Sequence, residues 1–350
     1  MAALIPSSSP TGLTIKASER ALPFVSVIVP TYRRRLSLMR ALMALGAQHY
    51  PPEQLEIVVV DDDDDPATAA LVAAVGGSSV RYVAQAQRGA AAARNKGARI
   101  ARGDLLLFVD DDILLPPNGV SAFVASFDRI GVCCLNGRWD FPDEMSAELS
   151  GTPFGRFRLE LEDWVKRGMP MHVIDERYAE VALLTACNLL VRRDAFWGIG
   201  GFDESIPSAG YEDQEFSLRA RDKGYRLIYD RTLRCLHDDR RLSRDAFLER
   251  QRRGAMTAAI LYRRRPEHFA ERDLIRENDA IRLGEPVRRT LKKLLKATLA
   301  FPPLLAGLRS LATLFERAAP RSRVLTRLYW GLVGVYLFRG VRDGLAGRIA

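Results

Sequence analysis

The sequence contains few of the residues that build metal clusters or disulfide frameworks. Its 350 residues include only four histidines and four cysteines, and the cysteines show no C-x-x-C spacing: Cys133, Cys134, Cys187 and Cys235. This composition indicates neither a zinc site nor a disulfide framework. The first residues also lack a charged region followed by an apolar core, so we expect no signal peptide.

A glycine-rich dinucleotide loop is missing as well. The first short apolar run, Phe24 to Pro30, ends in PTYRRR, where a dinucleotide-binding fold would place G-x-G-x-x-G. The parallel sheet that the other patterns predict therefore does not indicate a dinucleotide-dependent oxidoreductase.

The chain has a basic excess, but it lies at one end. The net charge is +9, whereas residues 284–350 contain 13 Lys and Arg against three Asp and Glu, an excess of +10 that leaves −1 for the other residues. A nucleic-acid-binding protein would need basic residues interleaved with exposed aromatics in a recognisable module. The sequence shows no such module, so we expect no nucleic acid partner.

This basic tail also carries an apolar run, LYWGLVGVYLF, at Leu328 to Phe338. As a helix the run would be about 16 Å long at ~1.5 Å per residue, which is shorter than the ~30 Å hydrocarbon core of a bilayer. Two interpretations stay open. The tail forms either a helix lying at an anionic membrane surface or a helical bundle packed on the rest of the protein.

The most informative segment is LLLFVDDDI, Leu105 to Ile113, in which an apolar run ends in three acids. Such a run is typical of a buried strand in an α/β sheet, and ligands bind at the carboxyl ends of these strands. Adjacent carboxylates repel one another unless cations or hydrogen-bond donors compensate, so a hard divalent metal with a phosphorylated ligand is a natural partner. A solvated acidic turn is the simpler alternative.

Further strands and helices alternate around this segment. Leu55 to Val60 and Val80 to Ala84 predict strands, and helical patterns cover Arg35 to Gln48, Ala67 to Val75 and Ala90 to Ala101. This alternation predicts an α/β fold with a Rossmann-like, mostly parallel sheet flanked by helices. Right-handed crossovers then gather the carboxyl ends of the strands at one edge.

Five motifs occur in order between Pro23 and His237: VSVIVPTYRR, EIVVVDDDDD, RGAAAARNKGARIARGDLLLFVDDD, CNLLVRRDAFWGIGGFDE and GYEDQEFSLRARDKGY. The series resembles the family 2 glycosyltransferases, which have the GT-A fold. The resemblance implies an inverting enzyme that moves a sugar from a UDP-, GDP- or dTDP-linked donor to a hydroxyl group of a saccharide or lipid-linked acceptor, with Mg²⁺ or Mn²⁺ as the cofactor. Cell-surface polysaccharide or glycolipid synthesis is the expected setting.

The resemblance also implies the residues that hold the nucleotide. Pro30, Thr31 and Tyr32 match the turn that binds the base and ribose, and Thr31 as an ordinary helix N-cap is the structural alternative. Asp62 matches the carboxylate that accepts a hydrogen bond from the base. Directly after it the chain departs from the family pattern, with three further aspartates where the family places a Gly or Asn and then a Ser.

The Asp triplet matches the DxD element that binds metal in this family. Asp110 and Asp111 match the nucleotide side, Asp112 matches the metal ligand, and we include Asp110 as a further ligand. His237 matches an additional metal ligand of some members, with an ordinary satisfied histidine as the alternative. Arg94 is expected at the diphosphate, with a solvated surface charge as the alternative.

Glu212 and Asp213 open a predicted amphipathic helix and match the family's Glu-Asp pair. The resemblance assigns the general base to Asp213 and gives Glu212 the task of orienting the acceptor or the base. Acids in a first turn are also simply favourable with the helix dipole. Gly201 in the GGFDE turn, Asn188 and Trp139 are expected at the donor sugar or the acceptor.

These features predict four parts. Residues 1–22 form a loose arm, residues 23–240 the GT-A catalytic domain, residues 241–283 a helical extension, and residues 284–350 a basic amphipathic tail. The catalytic domain has a nucleotide half, 23–115, and an acceptor half, 116–240. We expect a cytoplasmic protein, peripheral on the inner face of the cell membrane if the tail binds lipid. A non-catalytic nucleotide- or sugar-binding relative is the alternative, although it should lack the base that Asp213 would supply.

Overall fold

A mixed sheet of ten strands forms the centre of the structure. The structure is a computed structural model and describes residues 22–168, 171–206, 210–240, 243–269 and 272–348. The predicted arm lies outside these ranges except for Leu22. The strands are β1 (Val25–Thr31), β2 (Leu55–Asp61), β3 (Val80–Ala84), β4 (Leu105–Val109), β5 (Ile113–Leu114), β6 (Cys134–Asp140), β7 (Met171–Val173), β8 (Tyr178–Val181), β9 (Asn188–Arg192) and β10 (Leu227–His237). Their order is β3-β2-β1-β4-β9-β6-β10-β8-β7, and β5 pairs with β10.

The first half of the sheet is parallel, as the sequence predicts. Strands β3, β2, β1 and β4 pair in parallel, and every residue of β1, β2 and β4 is buried. Three helices connect them: α1 (Arg35–Gly46), α2 (Pro66–Val75) and α3 (Ala90–Ile100). β-branched residues dominate these strands and pack well on both faces of a covered sheet.

The second half departs from the predicted mostly parallel sheet. Strand β9 is antiparallel to both β4 and β6, and β10 pairs in parallel with β6 but antiparallel with β8 and β5. A register shift between Asp230 and Arg234 interrupts the long β10 strand. This arrangement brings His237, the last residue of β10, opposite Ile113, directly after the Asp triplet.

Two apolar cores lie on the two faces of the sheet. Leu38, Leu42 and Leu45 of α1 pack on one face, and Phe196 and Phe216 pack on the other. Five helices accompany the second half of the sheet: α4 (Gly119–Ile130), α5 (Asp143–Ser150), α6 (Pro153–Arg167), α7 (Arg193–Ile199) and α8 (Glu212–Asp222). In the first half, a short 3₁₀ turn at Pro52–Gln54 precedes β2.

The C-terminal part is helical, as predicted. It consists of α9 (Arg244–Arg264), α10 (Pro266–Phe269), α11 (Asp273–Arg276), α12 (Val287–Leu299), α13 (Pro302–Ala318) and α14 (Arg323–Leu345). Helix α14 lies so close to α9 that a Cβ atom at Gly340 or Gly344 would approach the carbonyl oxygens of Arg252 or Met256 to 2.1 and 2.3 Å.

The apolar run in α14 belongs to a helical bundle. Tyr329, Leu332 and Tyr336 are buried in a core that also contains Phe154 and Phe157 of α6. Of the two interpretations of the tail, packing on the rest of the protein is therefore the one that α14 follows. Most of the exposed apolar side chains of the tail lie on α12 and α13, and Val324 and Trp330 are the exposed ones on α14.

Candidate active site

The carboxyl ends of β1 and β4 bring the first candidate residues together. Thr31 ends β1, and its hydroxyl donates a hydrogen bond of 2.8 Å to Asp111 Oδ2, which follows β4. This bond shows that Thr31 does not cap α1, whose N-cap position is held by Arg34. Pro30 is buried within β1, and Tyr32 lies half-buried in the turn with the Arg33 guanidinium 5.0 Å from its ring centre.

Arg34 compensates the charge of the Asp triplet. Its Nη1 lies 2.6 Å from Asp111 Oδ1 and its Nη2 lies 2.6 Å from Asp112 Oδ2. Burial raises the pKa of Asp111 to about 7 despite this pairing. Burial acts in the same direction on Asp112, but His237 and Arg34 outweigh it and hold the pKa of Asp112 well below its usual range. The triplet is thus not a solvated turn, because Asp111 and Asp112 are only 3% and 2% exposed.

Asp112 and His237 form the part of the site that fits a metal ion. His237 Nε2 lies 3.4 Å from Asp112 Oδ2, and the imidazole packs edge-on against Trp139 with ring centres 5.1 Å apart. A carboxylate oxygen and an imidazole nitrogen are suitable donors for Mn²⁺. Within the described ranges no group of three or more His, Cys, Asp or Glu side chains gathers as a metal site. Two protein donors would therefore need further oxygens from a ligand, and a diphosphate carries them.

Arg94 links the triplet to the Glu-Asp pair. Its Nη2 lies 2.6 Å from Asp110 Oδ1, and its Nη1 lies 2.7 Å from Glu212 Oε1. The side chain is buried, so the interpretation of Arg94 as a solvated surface charge is wrong. Asp110 is the most exposed of the three acids, and its oxygen faces Arg94 rather than His237, so its part in binding a metal stays a prediction.

Asp213 has the electrostatic surroundings of a base near neutral pH. Tyr211, with φ of 71°, turns the chain into α8, and the Gly210 N–H donates to Glu212 Oε2. Burial and the neighbouring charge of Glu212 raise the pKa of Asp213 to about 7. A carboxylate with this pKa is poised to accept a proton at physiological pH.

The GGFDE turn is anchored by side chains from two helices. Gly201 is buried with φ of 65°, and its carbonyl oxygen accepts a 2.6 Å hydrogen bond from Arg219 of α8. Asn95 of α3 bonds both the N–H and the carbonyl of Phe202. A Cβ atom at Gly201 would lie 2.9 Å from Asn95 Oδ1, so the turn leaves no room for a larger residue. Contact between Gly201 and a sugar stays a prediction.

The structure contradicts the predicted role of Asn188. Its side chain is fully buried; its Oδ1 accepts from Asn136 Nδ2 at 2.9 Å, and its Nδ2 donates to the Gly137 carbonyl at 2.9 Å and to Cys235 Sγ at 3.0 Å. These bonds tie β9 to β6 and β10. Asn188 therefore holds the sheet together and has no surface to offer a sugar.

Asp62 also has structural partners. Its carboxylate accepts hydrogen bonds from Gln85 Nε2 at 2.7 Å and from the backbone N–H groups of Arg88 and Gly89 at 2.8 Å, which fixes the entry to α3. Contact between Asp62 and a base stays a prediction. A cavity of about 690 Å³ is lined by Arg33, Arg34, Arg35, Leu36, Ser37, Asp63 and Asp65.

Comparison with known proteins agrees with this architecture. Residues 26–200, half of the chain, match the model of glycosyl transferase family 2. The chain belongs to this family. The resemblance seen in the sequence is confirmed, and so is the GT-A fold. PcManGT, a mannosyltransferase from Pyrobaculum calidifontis solved with GDP-Man and Mn²⁺, superimposes on this chain with a TM-score of 0.58 at 20% sequence identity. The superposition covers 92% of this chain and 87% of PcManGT.

Curated relatives of this family 2 protein are distant. Glycosyltransferase AglE of Haloferax volcanii is 27% identical over 59% of this chain and 64% of its own length. Validoxylamine A glucosyltransferase of Streptomyces hygroscopicus subsp. limoneus is 27% identical over 60% of this chain and 50% of its own. Glucosyl-dolichyl phosphate glucuronosyltransferase of Haloferax volcanii is 26% identical over 61% and 68%. The chain thus spans about half to two thirds of these relatives.

Two residues near the candidate site are not predicted from the sequence, Arg34 and Asp239. The PTYRRR turn contains three arginines that the sequence does not distinguish. In the structure Arg33 pairs with Asp63 and Arg35 with Asp65, whereas Arg34 pairs with the Asp triplet. Asp239, two residues after His237, forms a buried ion pair with Arg158 of α6 at 2.8 Å. The HDDRR sequence was the available signal, since acids this soon after a strand end point to the same edge of the sheet.

Proposed function

We propose that this family 2 protein is a metal-dependent glycosyltransferase that moves a sugar from a nucleoside diphosphate donor to a hydroxyl acceptor with inversion. The observation that carries the proposal is the chain of contacts at one edge of the sheet. One series of contacts runs from His237 through Asp112, Arg34 and Asp111 to Thr31. Beside it, Arg94 bridges Asp110 and Glu212, and Glu212 is the neighbour of Asp213 in the sequence. The solved complex of PcManGT with GDP-Man and Mn²⁺ supports a nucleotide-sugar and a divalent ion as ligands.

Asp112 and His237 would hold the divalent ion, with Asp110 as a further candidate ligand. When bound, Mg²⁺ or Mn²⁺ offsets the negative charge that develops on the departing nucleoside diphosphate. The turn of Pro30, Thr31 and Tyr32 would contact the base and ribose. Arg34 is within reach of the same charge, because its guanidinium already lies between Asp111 and Asp112.

Asp213 would act as the general base. It takes the proton of the acceptor hydroxyl while that oxygen attacks the anomeric carbon and the bond between this carbon and the diphosphate oxygen breaks. The electron pair of the broken bond leaves with the nucleoside diphosphate. A single displacement of this kind inverts the anomeric carbon. Glu212, fixed by Arg94 and by the Gly210 N–H, would orient the acceptor or the base.

The acceptor that we propose is a saccharide or a lipid-linked alcohol on the cytoplasmic side of a membrane, in polysaccharide or glycolipid synthesis. The name of one relative, glucosyl-dolichyl phosphate glucuronosyltransferase, supports a lipid-linked substrate class. A non-catalytic sugar-binding relative has less support, because Asp213 is present and its pKa is raised to about 7.

Calorimetric titration tests the donor site. UDP, GDP and dTDP are each titrated with and without Mn²⁺ into the wild-type protein and into Asp112→Ala. We expect one nucleotide to bind only with metal and to lose about a hundredfold or more in affinity in the variant, since even groups that merely support a metal ligand cost 10–100-fold.

Asp104→Ala is the matched control. Asp104 precedes the first residue of β4, at the opposite end of the strand from the triplet, and its side chain is 79% exposed. Its replacement should leave nucleotide affinity unchanged. If no nucleotide binds under any condition, or if both variants bind like the wild type, the proposed donor site is wrong.

A further inference from the structure

Helix α12 turns its apolar face away from the protein. Leu291, Leu294 and Leu295 are 60%, 49% and 60% exposed, whereas Lys293 on the same helix is 2% exposed. A helix on the surface of a globular protein normally buries its leucines and exposes its lysines. The inverted orientation means that the outer face of α12 is suited to an apolar environment.

Specific ion pairs fix this orientation. Lys293 Nζ lies 2.7 Å from Asp279 Oδ1 and 2.6 Å from Glu285 Oε1, and all three side chains are buried. Lys296 Nζ donates to the Glu277 carbonyl and to Asn278 Oδ1 at 3.0 and 2.9 Å. Turning the leucines inward would take the Lys293 ammonium away from these two buried acids, of which, in the described part of the chain, only Asp279 has a second cationic partner, Arg282. Removing one member of a buried ion pair is costly. The exposed leucines are therefore a consequence of the fold.

Helix α13 extends the apolar face. Phe301, Leu304, Leu311 and Leu314 are 59%, 45%, 41% and 58% exposed, and the axes of α12 and α13 meet at 91°. Of the 22 large hydrophobic side chains that are exposed in the described part of the chain, twelve lie between residues 281 and 330, a seventh of the sequence. Within the same part no single helix is long and apolar enough to cross a bilayer, and α12 and α13 meet that criterion of length and composition only as a bent pair.

The surroundings of this face are strongly basic. Residues 287–327 contain ten Lys and Arg and one acid, Glu316. Arg288, Arg317, Arg321, Arg323 and Arg327 are exposed. A second copy of the chain docked about a two-fold axis would place this positive surface against itself and would be repelled. An anionic surface is the complementary partner.

We propose that the exposed face of α12 and α13 docks on an anionic lipid bilayer, with the leucines and Phe301 in the boundary of the acyl chains and the arginines at the headgroups. Two helices joined at a right angle then lie along the surface rather than across it. This docking goes beyond the proposed transfer reaction and does not depend on it. It would hold the donor site beside a lipid-linked acceptor.

Vesicle flotation tests the proposal on the full chain. Wild type is mixed with neutral vesicles or with vesicles that contain an anionic lipid, at low and at high salt. We expect binding to the anionic vesicles at low salt and weaker binding at high salt, where charges are screened. Leu291→Asp combined with Leu295→Asp should abolish flotation, and Arg288→Gln combined with Arg317→Gln should weaken it by about 25-fold, at roughly fivefold per charge.

Met43→Asp is the matched control, because Met43 is 62% exposed on α1 and should float like the wild type. Circular dichroism and melting temperature verify that each variant folds, and the arginine pair tests the surface without touching the leucines. Wild type that stays unbound to anionic vesicles overturns the proposal. So does a wild-type dimer in light scattering that the leucine variant converts to a monomer, which would assign the face to a second copy. Equal binding of the Met43 and leucine variants would also overturn it.

Discussion

Two acidic clusters lie at the same edge of the sheet, and the molecule uses them differently. Asp61 to Asp65 follow β2, and Asp110 to Asp112 follow β4. In the first cluster the two buried acids have fixed partners: Asp61 accepts hydrogen bonds from the N–H groups of Asp63 and Asp65 and from the Tyr82 hydroxyl, and Asp62 fixes the start of α3. The more exposed Asp63 and Asp65 pair with Arg33 and Arg35. In the second cluster the partners are mainly long cationic side chains.

The kind of partner explains the difference. Backbone N–H groups cannot leave a carboxylate without unfolding the loop that carries them, so the acids they satisfy belong to the fold. A guanidinium can turn away when a cation or a ligand takes over its charge balance, because an arginine has several rotatable bonds. Arg34 beside Asp112 and Arg94 beside Asp110 are such partners. An acidic run thus indicates a ligand site only where a cation or a ligand can replace the groups that balance the charge of its carboxylates.

The largest effect is expected at Asp213, which the second cluster reaches through Arg94 and Glu212. Asp213→Asn keeps the shape of the side chain but removes its capacity to accept a proton. We expect kcat to fall by about 10²–10⁴-fold, the usual contribution of a general base, with nucleotide affinity unchanged. Asp222→Asn, at the other end of α8 and half exposed, is the control. Near-normal turnover of Asp213→Asn would place the base elsewhere.

The first cluster should respond in stability instead. Asp61 is fully buried, and Asp61→Ala leaves the Tyr82 hydroxyl and two backbone N–H groups without their acceptor. We expect a loss of about 3 kcal/mol in the free energy of unfolding, at roughly 1 kcal/mol for each of these three partly buried groups, the lower end of the usual cost of an unsatisfied group. Urea unfolding measures this loss.

Asp64→Asn is the control for that change, because Asp64 is exposed and asparagine tolerates its φ of 50°. Nucleotide affinity of folded Asp61→Ala should equal that of the wild type. Normal stability combined with lost nucleotide binding would show that the first cluster serves a ligand, the role that we propose for the second.

The parallel half of the fold could be predicted from the sequence because its signals are local. Apolar runs of five to seven residues separate helical patterns there, and β1 to β4 and α1 to α3 lie where these patterns place them. The edge that carries the candidate site follows from the same topology. Asp112 could be nominated because the Asp triplet follows a predicted strand, and His237 because it matches a metal ligand of some members of the family that the sequence resembles.

The partners of these residues could not be predicted, because they come from distant parts of the chain. Arg94 and Glu212 are 118 residues apart, and Arg34 and Asp112 are 78 apart. Asn188 looks like a polar residue in a family motif until the structure shows its amide between three strands. Periodicity likewise gives α12 an apolar and a basic face, but the ion pairs of Lys293 decide which face turns inward.

The pH dependence of turnover distinguishes the raised pKa of Asp213 from that of Asp111 in the triplet. Burial raises the pKa of both to about 7. Below that pH the Asp213 carboxyl is protonated and cannot act as a base, so kcat should fall about tenfold per pH unit and level off above it. Nucleotide affinity measured over the same range reports Asp111 separately. A flat kcat profile between about pH 5.5 and 8 would contradict the assignment of Asp213.

The smallest effect is expected at Asp65, the last residue of the first cluster, whose side chain is 22% exposed. Its carboxylate caps α2, accepting from the Ala67 N–H at 3.0 Å and from the Thr68 hydroxyl at 2.9 Å, and the bond from Thr68 holds its pKa below the usual range. Asp65→Ala should lower the melting temperature by only a fraction of the change at Asp61, and Asp65→Asn, which keeps an acceptor, by less. A lowered pKa means stabilisation that is present at pH 7 and lost as the pH falls through the folded-state value. The difference between wild type and Asp65→Ala should therefore shrink in acid, and a difference that grows in acid would show that the carboxylate does not act as this cap.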